Sequence, residues 1–516
     1  MQTKMKSSMS TERLIYSNKG SILASLDETG IQISEQSLWA INAEGTSQST
    51  KSILACCVSQ PPSFTHSQPH IPFRNILYAE PVDDDENSTE DEVLLTYIYP
   101  TSKDSIKLAS LKIQITNPPN YNSTTSLSNV ILDKAYTNHI IRPSILVLIN
   151  PHGGQGKATT IYKSEIYPIL KAAKARITYQ ETKYHGHGID IARELDISKY
   201  DIIACCSGDG IPHEVINGFY QQKDKGVAAF NKIAITQLPC GSGNALSLST
   251  HGSNHAGLAT FQMLKAKRTK LDLMAVTQGM DRQQTTKLSF LTQCYGIIAD
   301  ADIGTDHLRW LGPIRFELGL AGNVIIGTKY PCDLFVNFLI RDKDAIPTHV
   351  EMHRQRSLEE TELPIITEYN LRVSGPSLDQ PVPEDWTRIS NDVTDNLNIL
   401  YVGKMPYISN DAQFFPAALP NDGTMDMVIT DTKTSFMETT SILLSVEKGT
   451  HVHNKNVKHA KILGYRLIPR VKDSKKHYIS VDGEEFPFEP LQVEILPGVL
   501  TGLLQEGTYV DTCFTR

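Results

Sequence analysis

Three unlike patterns of apolar and polar residues follow one another along the chain. From about residue 21 to 116, short apolar runs at 21–25, 31–33, 53–58, 75–79, 93–98 and 108–115 alternate with turn formers, a Pro61-Pro62 pair and an acidic stretch at 83–92. Runs of this length between turn signals predict strands, so the region reads as a β-rich module behind a polar, disordered lead over 1–20. Residues 117–140 begin rich in Asn, Ser, Thr and Pro and read as a linker.

The pattern changes over 141–270. A continuous apolar run at 145–149 and further strand-like segments at 177–182, 201–204 and 233–236 each end in a polar or glycine loop, and helical spacing follows. Strand, loop and helix repeat four times, as a parallel sheet with crossover helices requires. From 271 to 516 the strands come in runs, at 287–296, 334–340, 397–402, 425–429, 462–469, 477–481 and 492–496, with one helix near 436–447. That order predicts an antiparallel β-sandwich. Residues 341–395 are Pro-, Glu- and Arg-rich with little periodicity and are expected to form a mobile insertion. The fold class is therefore α/β plus β: an amino-terminal β module, an α/β domain and a β-sandwich.

Composition narrows the partners. A net charge of -8 argues against a nucleic-acid surface, which recruits basic patches. No apolar run approaches the length of a bilayer span, and residues 1–14 lack the apolar core of a signal peptide. The expectation is a cytoplasmic protein, soluble or peripheral on a membrane; nothing in the pattern fixes an oligomeric state. Eight cysteines include the adjacent pairs Cys56-Cys57 and Cys205-Cys206 without C-x-x-C spacing. They read as small buried hydrophobes, with S-acylation of Cys56 and Cys57 as the alternative.

The candidate chemistry lies in three loops of the α/β region. They are Asn150-Pro151-His152-Gly153-Gly154-Gln155-Gly156-Lys157, Ser207-Gly208-Asp209-Gly210, and Pro239-Cys240-Gly241-Ser242-Gly243-Asn244-Ala245. A Walker loop is excluded, because Asn150 stands where its first glycine belongs and Ala158, not Ser or Thr, follows Lys157. A dinucleotide fingerprint is excluded too, since His213 and Leu246 occupy the third-glycine positions. What remains is several glycine loops at the ends of strands of one sheet, a source of backbone N–H groups for an anion. Asp209, between two glycines and ahead of a helical pattern, presents a carboxylate at that edge.

These motifs, in this order, resemble the catalytic domain shared by diacylglycerol, ceramide and sphingosine kinases, over nearly all of 143–516. Ser207-Gly-Asp-Gly-x-x-His213-Glu214-Val-x-Asn217-Gly218 and Pro-Cys-Gly-Ser-Gly-Asn-Ala look most like the sphingosine, or long-chain-base, kinases of fungi and plants, which the long extension also fits. The resemblance implies a nucleotide-binding domain, a lipid-binding sandwich and a cleft between. It assigns Asp209 as general base and Ser207, Gly208, Gly210 and Thr292 to the substrate. Asp302, in Asp300-Ala301-Asp302, would hold the amino alcohol.

For the nucleotide it implies Asn150, Pro151, His152, Gly153 and Gly154; Thr182, Lys183, Tyr184, His185 and Gly186; Glu214; Gly241, Ser242 and Gly243; Arg309 and Arg315 on the phosphates; and Asp482, Gly483 and Glu484. His152 stands where many relatives have Arg. ATP and Mg2+ are the implied cofactors, with magnesium arriving on the nucleotide, Asp482 reaching it through water, and no metal site built from protein alone. The implied partners are a sphingoid base and, transiently, a membrane surface met by apolar lips such as Phe414-Phe415 or by the amino-terminal module. By residues alone, Asp482-Gly483 is also a plain hairpin turn and Asp300 or Asp302 a helix cap. Rival readings are a ceramide or diacylglycerol kinase and, in another class, a non-catalytic membrane adaptor.

Overall fold

A computed structural model describes residues 22–34, 70–82, 92–118, 126–137, 139–279, 284–304, 327–359, 362–471 and 477–515. The chain divides into two compact units, residues up to 142 together with 168–175, and the remainder.

In the first unit, alternating residues build a six-stranded sheet from Ile22–Leu26, Gly30–Ile33, His70–Pro72, Ile76–Pro81, Glu92–Ser102 and Ser105–Ile115. Two three-stranded meanders join through a parallel pairing of Ile22–Leu26 with Ser105–Ile115. The stretch expected as linker contains the helix Leu127–Ala135, whose Leu127, Ile131, Leu132 and Ala135 share a core with Ile76, Tyr78 and Tyr97. Ser126 caps it by accepting from Asn129 N, so one of the loop-like polar residues is a helix start signal. The lead 1–20 and the run 53–58, with Cys56 and Cys57, lie outside the described residues.

In the second unit, Ser144–Ile149, Arg176–Glu181, Ile202–Ser207 and Ala234–Pro239 form a wholly parallel sheet in the spatial order fourth, third, first, second. The topological switch falls between the first and third strands, and open α/β sheets bind ligands at the carboxyl ends beside such a switch. Ile202–Ser207 and Ala234–Pro239 are buried throughout, which accounts for the apolar run 202–206 with Cys205 and Cys206 inside, while Thr236 and Gln237 are buried polar residues of the second strand.

The carboxyl-terminal half is one hydrogen-bonded antiparallel sheet of eleven strands. It forks at Lys458–Pro469, where residues 458–462 pair with Met425–Asp431 and residues 464–467 with Leu491–Leu504. The two branches share one core, containing Val276 and Val493 from one and Leu400 and Met427 from the other, in the manner of a sandwich. Lys267–Gln278 runs through the expected boundary at 270, and its Leu271, Leu273 and Ala275 pack in one core with Ile203, Phe219 and Ile235 of the α/β part.

Two expectations change on this half. Within 341–395, Ile346–Glu359 forms a helix that buries Ile346 and Val350, while Ile366 and Leu371 enter the shared core. The following loop is tied from a distance: Arg466 donates to the carbonyls of Pro376, Ser377 and Gln380, and Glu494 accepts from Ser374 N and Gly375 N. Phe414 and Phe415, expected as apolar lips, are only 4% and 0% exposed and pack on Tyr401. Aromatic side chains adjacent in sequence look alike on paper whether they face solvent or core, and here both are core.

Candidate active site

The three glycine loops meet backbone to backbone. A side chain on Gly241 would begin 2.3 Å from Gly208 Cα, and one on Gly154, whose φ is +58, would begin 3.0 Å from Gly241 Cα. Only residues without Cβ allow that approach. Asn244 pins the third loop through Gly241 N and O at 3.1 and 3.0 Å, and Asn150 Oδ1 accepts from His152 N at 3.1 Å to shape the first. Ser242 is exposed at the rim, while Ser207 is buried, its hydroxyl spent on Gly208 O.

Asp209 opens the helix Gly210–Tyr220, yet its carboxylate serves the neighbouring one: Oδ2 accepts from Ala245 N at 3.0 Å and Oδ1 from Leu246 N at 3.1 Å. The acid is half-buried. Burial pushes it up to about 6; the amides of Ala245 and Leu246 and the side chain of Gln237 pull it down, and the charge of Asp482 adds to the rise. Gln237, a residue the motif reading passes over, also accepts from Ser247 N and donates to Ser207 O, so it knits the second and third loops together. Its signal was a lone amide within an apolar strand.

The helix Gly210–Tyr220 explains its own motif. Glu214 is buried and accepts from Gly186 N at 2.9 Å and Gly188 N at 2.7 Å, so the carboxylate expected on the nucleotide instead holds the loop 182–186 in place. In that loop Thr182 is buried, Lys183 N donates to His187 Nδ1, Tyr184 donates to Asp190, and Tyr184 and His185 are exposed. Asn217 exchanges two hydrogen bonds with the backbone of Leu288, and a side chain on Gly218 would strike Ile189 O at 2.4 Å.

From the sandwich side, the hairpin Val481-Asp482-Gly483-Glu484 reaches the same helix. Asp482 and Gly483 have φ of 54 and 82, the pair of left-handed residues a two-residue hairpin uses. Asp482 Oδ1 accepts from Ser289 Oγ, Leu291 N and Thr292 N, and Oδ2 from Phe290 N and His213 Nδ1, at 2.6 to 3.1 Å. The acid expected to reach magnesium through water is thus turned into the fold, whereas Glu484 is half-buried, its Oε1 3.2 Å from where a side chain on Gly210 would begin.

Thr292 is buried beside Tyr401. Gly296, φ +118, presses on Asn398 O and lets the helix Ile297–Gly304 start directly after a strand. On that helix Asp300 accepts from Tyr330, His477 and Tyr478 N, a structural set, while the half-buried Asp302 accepts from Ser480 Oγ at 2.9 Å, two residues before Asp482. Asp209 and Asp302 are therefore linked through one hairpin. Arg309 and Arg315 lie outside the described residues.

Such a site offers a main-chain cradle without side chains, which fits a polyphosphate, beside a carboxylate whose proton affinity suits a base near neutral pH. A magnesium ion carried by that polyphosphate would supply charge neutralisation; among the described residues no group of three or more His, Cys, Asp or Glu is placed to hold a metal.

Residues 144–276 match the diacylglycerol kinase catalytic domain, residues 387–504 the YegS C-terminal NAD kinase beta sandwich-like domain, and residues 23–137 a domain of unknown function. The chain is 44% identical over 433 residues to sphingoid long chain base kinase 5 of Saccharomyces cerevisiae, covering 74% of this chain and 62% of that protein. It is 31% identical over 437 residues to sphingoid long chain base kinase 4 of Schizosaccharomyces pombe, covering 84% and 88%. Human sphingosine kinase 1 is 27% identical over 365 residues, covering 68% and 88%.

Proposed function

Because the chain belongs to the sphingoid long-chain-base kinases, we propose that it transfers the γ-phosphate of ATP to the primary hydroxyl of a sphingoid base. The observation that carries the reading is the placement of Asp209, a half-buried carboxylate of raised proton affinity against three fused glycine loops. Asp209 takes the hydroxyl proton, the alkoxide oxygen attacks the γ-phosphorus, and the bond to the β-γ bridging oxygen breaks to release ADP. The glycine-loop amides hold the phosphates, and Arg309 and Arg315 add positive charge; such transfer is mostly positioning and charge stabilisation.

Asp302 gives the substrate class. A sphingoid base is a cation near neutral pH, and a half-buried carboxylate rewards it with a charge-assisted hydrogen bond that neutral ceramide or diacylglycerol cannot return. Purified protein offered sphingosine, ceramide and diacylglycerol with labelled ATP is expected to label sphingosine; preference for a neutral lipid overturns the assignment. Asp302→Asn is expected to raise KM for the base by about 10-fold or more while leaving KM for ATP in place. Steady-state kinetics in both substrates checks the split.

The substrate resides in bilayers, so the enzyme works at a membrane surface. No helix among the described residues is long and apolar enough to cross one. The helix Phe436–Leu444 supports surface docking: a Ser435–Glu438 capping box fixes its start, Ile442 anchors it, and Phe436, Met437 and Leu444 stand 54%, 80% and 75% exposed. Serine at Phe436 and Met437 is expected to cut co-sedimentation with sphingosine-containing vesicles and to spare turnover on detergent-dispersed substrate.

A further inference from the structure

The sequence Asp482-Gly483-Glu484 invites a ligand role for its first acid, but the geometry divides the labour differently. The Asp482 side chain is 0% exposed and that of His213 8%. Four of the five donors to Asp482 come from residues 289–292, where the sandwich passes over the catalytic helix, and the fifth is His213 Nδ1 at 2.8 Å from the helix itself. Nothing of that carboxylate is presented to a nucleotide. A second tie runs in parallel one turn further on, between Asn217 and the backbone of Leu288. His213 and Asn217 are one helical turn apart, so one face of the helix holds the hairpin through Asp482 and the segment beside it through Leu288.

We infer that Asp482 and His213 form a positioning pair that sets the catalytic helix, and with it Asp209 and the Gly210–Glu484 contact, against the sandwich, and that Asp482 is no ligand of nucleotide or metal. The pair acts through what it places. Asp209 precedes Gly210 at the start of the helix, four residues before His213, so a helix that slips moves the base relative to the lipid hydroxyl. Misplacement of order 1 Å is enough to cost about 100-fold in rate. The inference rests on the kinase reading for its rate consequences, but its binding consequence stands without any lipid.

The test compares wild type, His213→Ala, Asp482→Asn and the double variant, each as the full chain. Affinity for a magnesium complex of an imidodiphosphate ATP analogue is read by calorimetry, and kcat and KM on sphingosine by initial rates. The expected result is analogue affinity within about twofold of wild type in every variant, and kcat lower by about 10- to 100-fold in either single variant. The double variant is expected to be little worse than either single one, because one interaction is removed twice. Analogue affinity weakened about tenfold or more in Asp482→Asn overturns the inference, as does a wild-type kcat in His213→Ala. If Asp482→Asn does not fold, His213→Ala decides alone, with reduced kcat at unchanged analogue affinity as the supporting outcome. A wild-type chain that phosphorylates no sphingoid base defeats the kinase reading, while the calorimetric arm still decides whether Asp482 is a ligand.

Discussion

Asparagine in place of Asp209 is expected to lower kcat on a sphingoid base by about 100- to 10,000-fold, the usual worth of general-base help. The amide keeps the shape, and its Oδ1 can still accept from one of the two helix amides, Ala245 N or Leu246 N. What it loses is the capacity to take a proton. The pH profile separates that loss from misfolding. With the wild-type carboxyl pushed up to about 6, kcat/KM is expected to rise through that pH and level off above it, since only the ionised form accepts the hydroxyl proton. The variant should lack this limb. Full phosphorylation by Asp209→Asn shows the base to be another group.

The second large effect is on stability. Asp272, Lys404, Asp422, Lys461 and Asp426 form a buried ionic chain through the sandwich, with His349 on Asp422 and His459 on Asp426. Lys461 is its hinge point: Nζ donates to Asp426 at 2.7 Å, Asp422 at 3.2 Å and Ala417 O at 2.6 Å, with no exposed side-chain area. Lys461→Met leaves two carboxylates short of a cation inside the protein, and such a break costs about 3–5 kcal/mol. Denaturant unfolding is expected to record that loss, and adding Asp426→Asn to recover part of it.

The acid side carries a further signature. Burial drives the Asp422 and Asp426 carboxyls up, but Lys404 and Lys461 at the first and Lys461 and His459 at the second pull harder, so both sit below the ordinary carboxylate range. Their contribution is present above that range and lost as pH falls through the folded-state values. Without Lys461 the loss should begin at higher pH.

The parallel sheet was legible because its central strands Ser144–Ile149 and Ile202–Ser207 are buried and almost wholly apolar, and the loops were legible because glycine is the only residue their contacts admit. Periodicity failed where order is imposed from far away in sequence. Residues 374–380 are fixed by Arg466 and Glu494, and no local pattern announces that. At the site, the residue types were readable but not their orientation. Glu214 and Asp482 carry carboxylates that a motif assigns to a ligand, and the fold turns both onto backbone amides. Gln237 showed only as a lone amide in a strand, and no motif assigns it a role.

The core that Leu271, Leu273, Val499 and Leu500 share with Ile203, Phe219 and Ile235 makes the α/β part no autonomous module. Severing the chain ahead of Lys267 would strip an oily wall from the parallel sheet and leave the excised piece prone to clump. Chimaeras that aim to swap lipid preference should therefore exchange both halves as a single block, or confine the graft to side chains around Asp302.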